Sequence, residues 1–158
     1  MIIIERATIN DANMLLKIQK KAFNKYSLKY GNFKQNPAKM SLKRMKFNID
    51  YTFGQYYKIT KDNIIIGGLF AFKYDGENII QISQFYLDEN YQNQGIGSIA
   101  LNFLFDNNPN IKTWYVDTIY EEKSNVDFYQ KHGFVIIDDG GFEPEHKGLT
   151  FVIMKKEI

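Results

Sequence analysis

Residues 91–105 read YQNQGIGSIALNFLF, from Tyr91 to Phe105, and the fold turns on what this stretch is shaped to hold. Two glycines and a serine run into apolar residues, the pattern of a tight loop feeding a helix. Ile96, Ile99, Ala100, Phe103 and Leu104 recur at helical spacing and predict one apolar stripe, stopped by Asn107, Asn108 and Pro109. The first turn of such a helix carries unpaired N–H groups and the positive end of the helix dipole, which suits a phosphate. Three phosphate-binding loops look roughly like this one, and the flanking chain has to choose between them.

The chain has 158 residues and no cysteine. That length predicts a single domain over 1–158 that buries its own core, with neither disulfides nor thiolate metal sites. The start, Met-Ile-Ile-Ile-Glu-Arg-Ala, turns polar too soon for a signal peptide or a membrane span, so a soluble, cytoplasmic protein is expected. The formal net charge of +2 is unevenly spread: ten of the 20 basic residues and none of the 18 acidic ones fall within 12–49. Such a segment either faces an anionic ligand, an acidic partner or nucleic acid, or is a pair of helices with solvated lysine faces.

Upstream of the quoted loop, Ile2-Ile3-Ile4 predicts an opening strand. Thr8 and Asp11 stand at capping-box spacing, and Leu15, Ile18 and Ala22 continue helically to about Phe23. Residues 24–36 read as a loop. Pro37 suits the first turn of a second helix, carried by Met40, Met45 and Phe47 to about Ile49. Then the period changes. Residues 51–60, 64–74 and 78–87 are dense in Tyr, Phe and Ile, separated by Lys61-Asp62-Asn63 and Asp75-Gly76, which predicts an antiparallel meander. Downstream come a β-rich run over 112–119 and a short helix from about Ser124 to His132, ended by Gly133. Strands over 134–137 and 149–154 follow, connected through Gly140-Gly141. The order is β-α-α-β-β-β-α-β-α-β-β, a mixed α/β chain.

This order decides the loop. A nucleoside-triphosphate P-loop needs a lysine after its second glycine, and here Ser98 follows Gly97 with no lysine from 78 to 111. Gly95-x-Gly97-x-x-Ala100 also satisfies the dinucleotide fingerprint, with Asp117 at about the distance of a ribose-binding acid. That fingerprint turns directly off a parallel strand, whereas seven residues separate Leu87 from Gly95 and the preceding strand belongs to a meander. Gln92-x-x-Gly95-x-Gly97 resembles the pyrophosphate loop of the GCN5-related N-acetyltransferases, the GNAT family. The resemblance runs back through Gln84-Phe85-Tyr86-Leu87, where the family has its cofactor-pairing strand. It runs forward to Phe128-Tyr129-Gln130-Lys131-His132-Gly133-Phe134, similar to the family's F/L-Y-x-x-x-G-F signature. It implies a GNAT-like α+β fold: a central, mostly antiparallel sheet of about seven strands flanked by four helices.

The resemblance implies acetyl-CoA as cofactor. Phe85, Tyr86 and Leu87 would line the pantetheine, Leu87 being the best single contact. Gln92, Asn93, Gln94, Gly95, Ile96, Gly97 and Ser98 would cradle the diphosphate, mainly through main-chain N–H groups, with the two glycines letting the backbone approach. An ordinary glycine-rich turn is the alternative. One departure stands out: Glu122 occupies the place where the family often carries a cofactor-binding asparagine, and Asn125 stands where alanine is usual, so that contact is not carried over.

The implied reaction is direct attack of a primary amine on the thioester. Such an amine is neutral in only about one molecule in 2,500 at pH 7, a cost of about 4.6 kcal/mol, so a base should help. Tyr129 matches the family's general acid for the leaving thiolate, a transfer uphill by about 2 kcal/mol at reference pKa values; a core aromatic is the other way to read it. Asp117, Glu89, Gln84 and His132 are candidates for the base. His146, between Glu145 and Lys147, looks solvated, and no metal-ligand spacing or Ser/His/Asp arrangement occurs.

The family commonly walls its acceptor site with the segment between the first two helices. Here that is 24–46, where Tyr26, Tyr30 and Phe33 interleave with Lys25, Lys29 and Lys34. A pocket so lined would repel a polyamine and attract an acceptor bearing a carboxylate or phosphate. The partners expected are therefore a small-molecule or peptide amine, without nucleic acid or membrane. A binding module that holds acyl-CoA without turnover is the alternative function. A homodimer is possible through the apolar run 149–154, which a buried central strand would explain equally well.

Overall fold

The computed structural model describes residues 1–31, 33, 36–74, 76–142 and 149–158. Its strands are β1 (Ile2–Arg6), β2 (Gly54–Lys61), β3 (Ile64–Lys73), β4 (Ile79–Leu87), β5 (Thr113–Ile119), β6 (Val135–Phe142) and β7 (Thr150–Glu157). The helices are α1 (Ala12–Tyr30), α2 (Leu42–Asp50), α3 (Ile96–Asp106) and α4 (Lys123–Lys131). The strands form one seven-stranded sheet in the order β1-β2-β3-β4-β5-β7-β6. All neighbours pair antiparallel except β4 and β5. The element order is the one the sequence predicts.

Local chemistry accounts for the boundaries. Asp62 and Asn63 both take positive φ (50° and 67°), the hairpin geometry whose twist matches the strands. Of the second hairpin turn, Asp75 lies outside the described residues, and Gly76 has φ +71°. Thr8 donates its N–H to Asp11 Oδ2 at 2.9 Å, the capping box expected, though it opens a short 3-10 turn that leads into α1. Lys58 reaches the same carboxylate at 3.2 Å. Burial alone would raise the Asp11 pKa, but the Thr8 amide and Lys58 outweigh it and hold the carboxyl below its usual value.

Four expectations are corrected. First, α1 runs to Tyr30 rather than Phe23, ended by Gly31 at φ 78°. Second, Pro37 opens a separate 3-10 turn, Pro37–Lys39, and α2 starts only at Leu42, where Ser41 Oγ accepts from Arg44 N at 3.1 Å. Third, Gly140 and Gly141 lie within β6 rather than in a connection, because two register shifts against β7 lengthen that strand. Fourth, the buried face of α3 is Ile96, Ala100, Leu101 and Leu104, whereas Ile99 is 49% exposed. A two-layer contact selects a narrower stripe than the apolar count suggests.

Helices cover both sides of the sheet. On one face, Ala12, Leu15 and Ile18 of α1 and Met45 of α2 pack against Tyr56, Phe70 and Tyr86. On the other, Leu101 and Leu104 of α3 and Val126 and Tyr129 of α4 join Ile59, Leu69, Ile82, Trp114 and Met154. The apolar run 149–154 is accounted for by position: β7 lies between β5 and β6. Among the described residues no helix is long and apolar enough to cross a membrane.

Candidate active site

The site exists because two parallel strands part company. Strands β4 and β5 pair only from Ile79↔Thr113 to Ile82↔Val116. Opposite β3, Gln84 faces Phe70 and Ile82 faces Ala71, so Ser83 is an extra residue that bends β4. Beyond it, β4 continues along β3, while Asp117 to Ile119 continue along β7. The gap opens into a cavity of about 760 Å³, walled by both strands, by the loop after β4, and by residues of α1 and α4.

The inner edge of β4 is available to a ligand. N–H and C=O groups of successive strand residues point to alternate sides. Asp88 N donates back to Ile66 O at 2.7 Å, so the main-chain groups of Leu87 and Phe85 point away from β3, into the gap. Gln92 Nε2 occupies the Leu87 carbonyl at 3.0 Å, which fixes the loop to the strand end and leaves the Leu87 amide for a ligand. Tyr86 lines the cavity as well, and its hydroxyl lies 2.6 Å from that of Tyr56 under α1.

The quoted loop presents a cluster of unpaired amides. Asp88 Oδ1 accepts from Asn90 N (2.9 Å) and Gln94 Nε2 donates to Asn90 O (3.1 Å). Asn93 and Gly95 take φ of 62° and 81°. The amide of Ile99 returns to Gly95 O at 3.2 Å, whereas those of 95–98 have no partner among the described residues. Nothing lies within 4 Å of where a Cβ on Gly95 would stand, so the backbone there is bare toward open space. Gly97 differs from expectation: its Cβ would meet the Phe128 ring at 3.3 Å, so its bareness serves the packing of α3 on α4. Gln94 and Ile96 do not line the cavity, Ile96 being buried in the core.

Ser98 does line the cavity, and its Oγ lies 3.0 Å from His132 Nε2. Burial, then Lys131 and Lys156, hold the His132 imidazole below its usual pKa. The pairing joins residues 34 positions apart, for which no local pattern gives a signal.

Tyr129 is buried, with its ring against Phe128 (5.2 Å) and Phe134 (5.5 Å). It also lines the cavity, and its hydroxyl has no partner among the described residues. Tyr129 is therefore both a core aromatic and a cavity-lining residue. Burial pushes its pKa up, so the hydroxyl stays protonated and has a hydrogen to donate. The same rise makes proton transfer to a thiolate steeper than reference values imply.

Further polar groups line the same cavity. Gln84 Oε1 is buried without a partner among the described residues. Asp117 lines the cavity with its pKa raised by partial burial. Of the other base candidates, Glu89 sits in the turn after β4 and off the cavity, His132 belongs to the amide end, and His146 lies outside the described residues. Lys25 lines the pocket, but Lys29 is consumed: its Nζ and the Tyr30 hydroxyl both lie 2.6 Å from Glu122 Oε2. Lys34 lies outside the described residues. Asn125 donates to Tyr26 Oη at 2.9 Å. Phe128 and Lys131, which sequence reasoning did not assign, also line the cavity; both lay inside the quoted signature.

Comparison with known proteins agrees with this geometry. The family model "Acetyltransferase (GNAT) domain" matches residues 53–136, more than half of the chain. The uncharacterized protein YrkN of Bacillus subtilis is 33% identical over 91 residues, covering 57% of this chain and 48% of YrkN, so the match spans about half of that relative. The PaiA N-acetyltransferase of Thermoplasma acidophilum, solved in complex with coenzyme A, superposes with a TM-score of 0.82 at 17% identity, over 100% of this chain and 99% of that one. The ribosomal-protein-S18-alanine N-acetyltransferase of Escherichia coli superposes with a TM-score of 0.77 at 17% identity, over 100% and 94%. A parted parallel pair, a bare amide cradle and a matched profile over the central strands lead to one assignment: the chain belongs to the GNAT acetyltransferase family.

Proposed function

We propose that residues 1–158 form one catalytic unit, an acetyl-CoA-dependent N-acetyltransferase acting on a primary amine, with Tyr129 as general acid. The observation that carries this is an arrangement: Gly95, Gly97 and Ser98 with their unpaired amides, the inner edge of β4 and Tyr129 with its lone hydroxyl line one cavity. The donor set fits a diphosphate, since unpaired backbone N–H groups at a helix start carry partial positive charge and favour an anion. When bound, acetyl-CoA supplies the activated acetyl group. The amides of 95–98 and Ser98 hold its diphosphate, and the Phe85 and Leu87 main chain holds the extended arm by strand-like hydrogen bonding. Tyr129 gives its proton to the departing sulfur.

Asp117 takes the proton from the incoming ammonium. A carboxyl whose pKa is raised by burial is a better base than an ordinary aspartate, and the unpartnered Gln84 oxygen accepts an N–H from the same amine. Lys25 then favours an acceptor whose far end carries a carboxylate or phosphate. Thiol release with a panel of amines tests this reading. Tyr129→Phe should keep coenzyme A affinity and slow transfer about 100-fold or more. An unchanged rate would remove the tyrosine from its role, and a clear preference for spermidine would overturn the acceptor class. Binding without thiol release from any amine would make the chain a non-catalytic acyl-CoA module.

A further inference from the structure

Ser98 and His132 bridge α3 and α4 at the amide end of the cavity, away from the transferring atoms. A serine hydroxyl has one hydrogen to give. With a bare Nε2, that hydrogen goes to the imidazole and the hydroxyl shows an anion only lone pairs. With a hydrogen on Nε2, the hydroxyl accepts from the ring and its own hydrogen is free. We propose that His132 is a positioning residue for the cofactor diphosphate, its Nε2–H holding the Ser98 hydroxyl so that Ser98 donates to a phosphate oxygen. The inference rests on the diphosphate lying at the head of α3.

The surroundings suit this role. The His132 ring lies 4.8 Å from Phe128, which itself packs against Gly97, so the imidazole is held over the loop. Lys131 is its charged neighbour on α4, and from β7 Lys156 Nζ reaches the His132 carbonyl at 2.7 Å. From α3 Ser98 bonds to it, and the single charged residue of that helix, Asp106, is at the far end. The two lysines and burial keep the free imidazole neutral near pH 7 and able to take either tautomer. An anion on Ser98 favours hydrogen at Nε2, and the fully protonated ring more so. The bound pKa therefore exceeds the free one, and binding tightens as pH falls through the bound value toward the free one.

The test is calorimetry with dephospho-CoA from about pH 8 to about pH 5.5. Its diphosphate keeps its charge there, whereas a phosphate monoester such as the 3′-phosphate of coenzyme A titrates near pH 6. The wild type should tighten about threefold or more on acidification. Ser98→Ala and His132→Phe should each weaken binding about fivefold at the acid end, and the double variant no further. His132→Gln, which keeps an N–H donor but does not titrate, should recover affinity without pH dependence. Melting temperatures of all four variants establish that they fold. The proposal is overturned if His132→Phe binds like wild type, if the two losses multiply, if the pH slope survives without the imidazole, or if Gln is no better than Phe. A wild type that takes up neither dephospho-CoA nor coenzyme A would instead overturn the placement of the diphosphate.

Discussion

Gly95 turns one backbone angle into a binding surface. Its φ of 81° swings the chain from the loop into α3, where the amides of 95–98 have no partner among the described residues. An L side chain in this region costs about 1–2 kcal/mol. Gly95→Ala should therefore lower the unfolding free energy read from urea titration by that amount and weaken coenzyme A more than tenfold by calorimetry, because the new methyl projects into open space. Gly97→Ala meets the Phe128 ring instead, so its effect should be on stability first. The motif made both glycines legible in the sequence, but it could not separate their reasons. One is conformational and one is steric, and only the position of Phe128, thirty-one residues further on, tells them apart.

At the scale of elements, a distant contact ties the end of α1 to the head of α4. Lys29 and Tyr30, at the end of α1, converge on Glu122 just before α4. This pairing explains why α1 outlasts its sequence signal. The stretch Asn24 to Tyr30 has a weak apolar pattern, and it is held by partners more than ninety positions away, a tertiary effect that local periodicity does not carry. The Ser83 bulge that opens the cavity was equally silent, since a bulge is defined by the opposite strand. By contrast, the change from helical period to alternation after Asp50, the Asp62-Asn63 turn and the Gly133 stop are local, and they were legible. Burial would raise the Glu122 pKa, but Lys29 and Tyr30 together bring it below the ordinary value. A folded pKa below the unfolded one stabilises above the unfolded pKa of about 4.5 and is lost as pH falls through the folded value. Urea midpoints at pH 7 and about pH 3 should differ less in Glu122→Gln than in the wild type. At pH 7 that variant should lose about 1 kcal/mol, a figure held down by the exposure of Lys29.

At the scale of the whole molecule, the sheet is two antiparallel blocks, β1 to β4 and β5 to β7, meeting along four parallel residue pairs. The cofactor arm would lie beside both. Acetyl-CoA at 100 times its dissociation constant should raise unfolding free energy by about 2.7 kcal/mol, read as a higher melting temperature, with NAD or ATP at equal concentration giving less. The parted strands also give the protein a seam. A pulling force across the sheet would find its weakest stitching at those four pairs, and the coenzyme arm, bonded along β4 and pressed against Asp117 to Ile119, would add rungs to the ladder where the chain itself provides none.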